Sequence, residues 1–250
     1  MAPEVEQTPA LVLRKVDFGE SHVILHLLCR DLGRVSAVAR GARASKRRFS
    51  GCLEPLRVLD ATLKPPRKGD LFTAEALDVS EDFRALEDRI ERVMAAGYLT
   101  ELVRETFREG EDAREVFELL RRTYGSLSRA SDSAEVQREI LSFEMALLSL
   151  YGFPLNLRRC ARCGASPGDD ESLRLSRRGE GLVCGSCRRP GESLGLISAE
   201  AFGILLSLSG PSTTTWDSEP LAQAGRVLEN ALEQVLERPL LTRDLLQQVL

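Results

Sequence analysis

The chain has 250 residues, enough for a well-buried core and for more than one compact unit. With 43% apolar and 29% charged residues it has the composition of a soluble globular protein, and six cysteines are too few for a disulfide scaffold at this length. The net charge of −4 argues by itself against a polyanion partner, but it is segregated: residues 1–80 sum to +3, 81–157 to −6, 158–195 to +3 and 196–250 to −4.

The opening Met-Ala-Pro-Glu-Val-Glu is acidic where a secretory signal would be basic and then apolar. The greasiest segment, LSFEMALLSLYGF, is broken by Glu144 and stopped at Gly152 and Pro154, well short of a membrane span. A cytoplasmic protein with reduced thiols and no membrane partner is expected.

Residues 1–80 read as strands. ALVLRKVDF and SHVILHLLCR are β-rich runs separated by Gly19, Glu20 and Ser21, and GRVSAVAR follows the turn at Asp31-Leu32-Gly33. LRVLDATL and LFTAEALDV come next, joined by KPPRKGD, whose Pro65, Pro66 and Gly69 forbid a central strand. Five short strands with a longer connection after the third suit a Greek-key barrel of the oligonucleotide/oligosaccharide-binding (OB) type, with an SH3-like barrel as the alternative.

From Glu81 the apolar period changes from two to 3.6. Ile90, Val93, Met94, Tyr98, Leu102 and Val103 form one helical stripe, and Val116, Phe117, Leu120 and Tyr124 a second. A third helix starts near Asp132, with Glu135 completing a capping box, and its stripe runs Val136, Ile140, Phe143, Leu147, Tyr151. Helical pattern returns in SAEAFGILLSL, LAQAGRVLENALEQVLE and TRDLLQQVL. The predicted fold is multidomain α+β: an OB barrel over 1–80, an α-helical domain over 81–157 and 196–250, and a module over 158–195 inserted in the latter.

That module holds Cys160-Ala-Arg-Cys163 and, after twenty residues, Cys184-Gly-Ser-Cys187. Two C-x₂-C knuckles at this separation are the pattern of a zinc-ribbon-like Cys₄ site, because two intervening residues let a tight turn aim both thiolates at one ion. Gly164 and Gly185 are expected to supply the backbone freedom of those turns. Four protein ligands close the coordination sphere, so one structural Zn²⁺ is expected, with Arg158, Arg159, Arg162, Arg188 and Arg189 available either to balance its thiolates or to contact a nucleic acid. Cys29 and Cys52 lack knuckle partners and read as buried apolar side chains.

His22 and His26 share one strand face without an acid or thiol at useful spacing, and read as partly buried strand residues. There is no phosphate-binding loop, dinucleotide fingerprint or nucleophile elbow, and the helix carboxylates alternate with arginines as on a solvated face. A non-enzymatic binding protein is the stronger reading. An enzyme with a structural zinc would need acids or a nucleophile to converge from distant parts of the chain.

The candidate binding residues lie on loops. VARGARASKRRFSG carries Arg40, Arg43, Lys46, Arg47 and Arg48 and no acid, with Arg34 in the strand before it. Lys64, Arg67 and Lys68 fall around the connection between the fourth and fifth strands, one of the loops by which OB barrels hold oligonucleotides. Phe49 is a candidate for stacking on a base. Cations on phosphates position a nucleic acid without reading its sequence.

At this point a family resemblance emerges. DFGESHVILHLLCRDLGRVSAVARGARASKRRFSGCLEPL resembles the N-terminal region of the RecO family of bacterial recombination mediators, through Gly19-Glu20-Ser21, Gly33, VARGAR, the basic stretch and Leu53-Glu54-Pro55-Leu56. YGFPLNLRRCARCG is similar to the family's helix exit into its zinc site. The resemblance implies binding of single- and double-stranded DNA, annealing of complementary strands, pairing with RecR, contact with the C-terminal tail of single-stranded-DNA-binding protein (SSB), and indirect action on RecA, in the cytoplasm and at the nucleoid. It implies Arg34, Arg40, Arg43, Lys46, Arg47 and Arg48 as DNA contacts, and Cys160, Cys163, Cys184 and Cys187 as zinc ligands. An RNA- or ribosome-associated binder of the same architecture is the alternative.

Overall fold

The computed structural model describes residues 5–44, 49, 51–108, 110–166, 174–176, 181–192, 194–208, 216–236 and 238–250. The chain divides into two compact units, residues 1–129 with 242–249 and residues 130–241 with 250.

The first unit is built on a barrel. Strands β1 (Glu6–Phe18), β2 (His22–Cys29), β3 (Gly33–Ala39), β4 (Arg57–Lys64) and β5 (Leu71–Asp82) close in the order β1-β2-β3-β5-β4, with β4 returning to β1. Alternation sets the strands: Val23, Leu25 and Leu27 point into the core, while His22, Ile24 and His26 between them are only partly buried. Ala10, Ala37, Ala39, Ala61 and Ala74 leave room inside the narrow barrel for the leucines and valines. The β3–β5 pair is parallel, with Ser36 beside Leu71, and every other pair is antiparallel. This closure is the Greek-key order of an OB barrel, which removes the SH3-like alternative. A register shift between Val12 and Arg14 bends β1, letting one strand pair with β4 at its start and with β2 to its end.

Phe49 does not stand out for stacking. It is 2% exposed and packs with Ala42, Cys52 and the strand residues inside the barrel.

Two helices follow the barrel in the first unit, α1 (Ile90–Thr106) and α2 (Arg114–Leu127). The residues of α1 from Tyr98 to Val103 are all buried, so a single stripe does not describe it, and Ile90, expected on the apolar face, is 58% exposed at the first turn. In α2 the expected face is buried: Val116, Phe117, Leu120 and Tyr124. Tyr124 meets the ring of Phe83 edge-on at 5.6 Å and shares a hydrogen bond with the Thr100 hydroxyl of α1. The carboxylate of Glu101, buried in α1, accepts both the main-chain N–H (2.8 Å) and the hydroxyl (2.5 Å) of Thr242, at the start of the last helix, α6 (Leu241–Gln247).

In the second unit α3 (Ser133–Leu150) starts as its sequence dictates: Asp132 accepts the Glu135 N–H at 2.8 Å. The return arm of the box lands one residue earlier, since the Glu135 carboxylate accepts from the N–H and hydroxyl of Ser131. Gly152 ends the helix at φ +80, where the Phe153 N–H reaches back to the Leu148 carbonyl. Helices α4 (Ala199–Ser207) and α5 (Ser218–Leu232) pack together, and α5 also packs on α3, with Gly225 beside the Leu141 side chain. No helix among the described residues is long and apolar enough to cross a membrane.

Candidate functional site

The barrel displays its cations around β3. Arg40 and Arg43 lie exposed on the turn leaving the end of β3, and among the described residues Arg43 makes a long 3.7 Å approach to Asp17. Lys64 ends β4, 3.6 Å from Glu75, and Arg67 and Lys68 are exposed on the connection into β5. Because Leu71 pairs with Ser36 in parallel, that connection opens towards the start of β3. The two cationic groups therefore flank β3 lengthwise, and exposed pairs of this kind leave most of their field to solvent. Lys46, Arg47 and Arg48 lie outside the described residues.

Arg34 does not join either group. Its guanidinium donates to the carbonyls of Arg104 at 2.9 Å and Phe107 at 3.3 Å, at the C-terminal end of α1, where unpaired carbonyls and the helix dipole both favour a cation. Its work is to hold the helix end on the barrel.

Sequence reasoning passed over Arg14 and Phe18. After the shift in β1, Arg14 pairs with His26, Val16 with Ile24, and Phe18 with His22, so these residues share the outer face. Arg14 and Phe18 are both exposed. The period-2 spacing of Arg14, Val16 and Phe18 against His22, Ile24 and His26 carried that signal. The histidines are partly buried strand residues as expected: His22 Nδ1 accepts the Gly41 N–H at 3.0 Å, and His26 Nδ1 lies 3.0 Å from the Ser36 hydroxyl.

In the second unit Cys160, Cys163, Cys184 and Cys187 come together, all four sulfurs lying within 4.8 Å of one another. Cys163 Sγ and Cys184 Sγ are 3.7 Å apart, far beyond a disulfide bond and close to the ~3.8 Å edge of a tetrahedron with 2.3 Å metal–sulfur bonds. The residues fit a tetrahedral thiolate-bound metal ion. Gly164, at φ +75, makes the first turn, its N–H bonding to the Cys160 carbonyl. Gly185 sits instead in a short 3-10 turn (Gly185–Cys187), outside the left-handed region, so the second knuckle needs no special backbone. Strands β6 (Arg174–Ser176) and β7 (Leu194–Leu196) form a two-stranded ribbon beside the knuckles. Gly181 approaches the Asn156 backbone so closely that a Cβ would meet its carbonyl oxygen at 2.3 Å.

Burial would raise the Cys160 thiol, but the N–H groups of Cys184, Cys163 and Arg162 outweigh it and bring the thiol down to about 6. Arg162 spans the two knuckles, donating to the Cys187 carbonyl at 2.9 Å and pairing through both terminal nitrogens with Glu192. Its charge is thus matched by a carboxylate, while Arg158, Arg159, Arg188 and Arg189 are exposed. Cys29 and Cys52 are buried in the barrel; desolvation and nearby Asp31 push Cys29 up to about 12, and the Cys52 thiol donates to the Leu77 carbonyl.

Two family models divide the chain between them: Recombination protein O N terminal over residues 1–83 and Recombination protein O C terminal over residues 87–244. The DNA repair protein RecO of Anaeromyxobacter dehalogenans (strain 2CP-C) is 39% identical over 232 residues, covering 92% of this chain and 89% of its own. The protein of the same name from Myxococcus xanthus is 34% identical over 241 residues, 96% of each chain. The chain belongs to the RecO family of DNA repair proteins. The RecO proteins of Rhodopirellula baltica and Geobacter sulfurreducens are 34% and 31% identical, over 86% and 96% of this chain and 80% and 96% of their own. The boundary between the two RecO models, residues 83–87, falls where β5 gives way to α1.

Proposed function

We propose that this RecO-family chain is a non-catalytic DNA-binding protein of recombinational repair. It binds single- and double-stranded DNA through the barrel and anneals complementary strands. With RecR it helps load RecA on SSB-coated DNA. The observation that carries the reading is the pair of exposed cationic groups flanking β3, on a closed barrel whose own surface acids approach them only loosely. Arg40, Arg43, Lys64, Arg67 and Lys68 contact phosphates in this reading, joined by Lys46, Arg47 and Arg48 from the same connection.

Annealing follows from electrostatics. Cations that neutralise phosphates release counterions and lower the repulsion between two strands. Holding both strands on one protein raises their effective concentration, and base pairing supplies the driving force. Nothing in this sequence of events requires a covalent step.

One Zn²⁺ on Cys160, Cys163, Cys184 and Cys187 serves structure, because four protein ligands leave no position for water or substrate. The functional division is a barrel over 1–80, helices over 81–157 and 196–250, and the metal module over 158–195. The SSB tail belongs on the helices. A cavity of about 370 Å³ lined by Met145, Leu157, Leu205 and Leu206, with Arg158 at its side, has the chemistry to receive an apolar chain end and its carboxylate.

The deciding experiment is annealing of complementary DNA strands coated with SSB, with and without RecR. Accelerated annealing supports the reading. Failure there, together with equal or tighter binding of matched RNA, would replace it with an RNA-binding role.

A further inference from the structure

We propose that Phe18 and His22, at the tip of the β1–β2 hairpin, form a stacking platform for a base of single-stranded DNA, with Arg14, Arg40 and Arg43 holding the phosphates around it. The proposal rests on the DNA-binding reading above and adds the group that would distinguish a single strand from a duplex.

Phe18 is 49% exposed and pairs across the hairpin with His22, ring centroids 6.5 Å apart and planes 32° from parallel. A lone exposed phenylalanine carries no message. This one stands among groups that fit a nucleotide strand: Arg14 on the same face of β1, and Arg40 and Arg43 on the turn beside the tip. That turn is fastened to the hairpin, since His22 Nδ1 accepts the Gly41 N–H at 3.0 Å and the Ser21 carbonyl accepts the Arg43 N–H at 3.1 Å. The first bond fixes the His22 ring, and in the neutral imidazole it leaves the proton on Nε2. The His22 ring and the backbone of the turn that carries Arg40 and Arg43 are thus held in place, so less order has to be supplied on binding.

The chemistry is that of single-strand binding on OB barrels, where aromatic faces take bases and a cationic track takes the backbone. Bases in a duplex are already stacked on one another, so Phe18 gains nothing from them unless the strands part. Cations alone would not discriminate in this way. Phe49, inside the core, cannot take the role.

The test uses the full chain, an oligothymidylate of roughly 16 nucleotides and a duplex of equal length, with affinities followed by anisotropy at several salt concentrations. Phe18→Ala should weaken single-strand binding by about tenfold, leave duplex binding within about twofold and keep the salt slope, and Phe18→Tyr should restore it. In a Trp216→Phe background, Phe18→Trp should lose fluorescence as the oligomer is added, which does not depend on the alanine variant folding. Unchanged single-strand affinity in Phe18→Ala, or an unquenched Trp at position 18, would overturn the platform. If Arg40→Glu with Arg43→Glu still abolished binding, the DNA-binding reading would survive that loss; if the parent chain bound neither oligomer, that reading itself would fall.

Discussion

The guanidinium of Arg34, in β3, donates to the main-chain carbonyl of Arg104, seventy residues later at the end of α1. A basic residue that looks like part of a cationic surface is therefore an internal fastening. Arg34→Ala should destabilise the first unit by about 1–3 kcal/mol, the worth of charged hydrogen bonds to helix-end carbonyls, in denaturant unfolding. DNA affinity and its salt slope should not move.

Arg40 and Arg43 should behave in the opposite way. With about five phosphates neutralised, log K against log salt for single strands should slope near −3.5. Replacing both arginines with alanine should reduce that slope to about −2 and leave the unfolding midpoint within about 0.5 kcal/mol of the parent. A slope that stayed near −3.5 would remove these two residues from the interface.

Four sulfurs within 4.8 Å of one another, taken as one ligand set, make each ligand necessary. Cys160→Ser should lower bound zinc below one equivalent in metal analysis, and should loosen the region around β6 and β7, as read by hydrogen exchange. The barrel, in the other unit, should keep its protection. Full zinc occupancy in this variant would show that the ligand set is wrong.

Glu192 gives the metal module a signature in acid. The hydrogen bond from Arg162, with help from the Arg189 N–H, holds its carboxyl down to about 2. Because the folded value is depressed, the pairing contributes stability above the ordinary carboxylate range, and that contribution is lost as pH falls towards and through about 2. Arg162→Ala should return the Glu192 midpoint to near 4.3, as followed by carboxyl carbon NMR.

Features set by short-range rules were legible in the sequence. The inward Val23, Leu25 and Leu27 announce a half-buried strand, the two knuckles announce four cysteines that converge, and Asp132 announces where α3 begins. Features set by distant contacts were not. Nothing near Arg34 says that a helix end will arrive beside it, and nothing near Phe49 says that its ring will lie in the barrel core. In α1 the stripe fails because the helix is buried on several sides, so burial no longer follows a period. Arg14 and Phe18 show their alternation plainly, but whether that face stays open depends on what packs against the barrel. The sequence rule supplies the face, and tertiary packing decides its use.

The bond from Glu101 to Thr242 bears on the order in which the chain is completed. A ribosome adding roughly 5–20 residues per second finishes Thr242 about 7–28 s after Glu101. Through that interval the carboxylate in α1 lacks the two donors from α6. Residues 130–241, by contrast, have all been made when Thr242 is added. The half that is started first is thus the last to be sealed, and a ribosome that stalls at codon 242 leaves Glu101 in the N-terminal unit without those two donors.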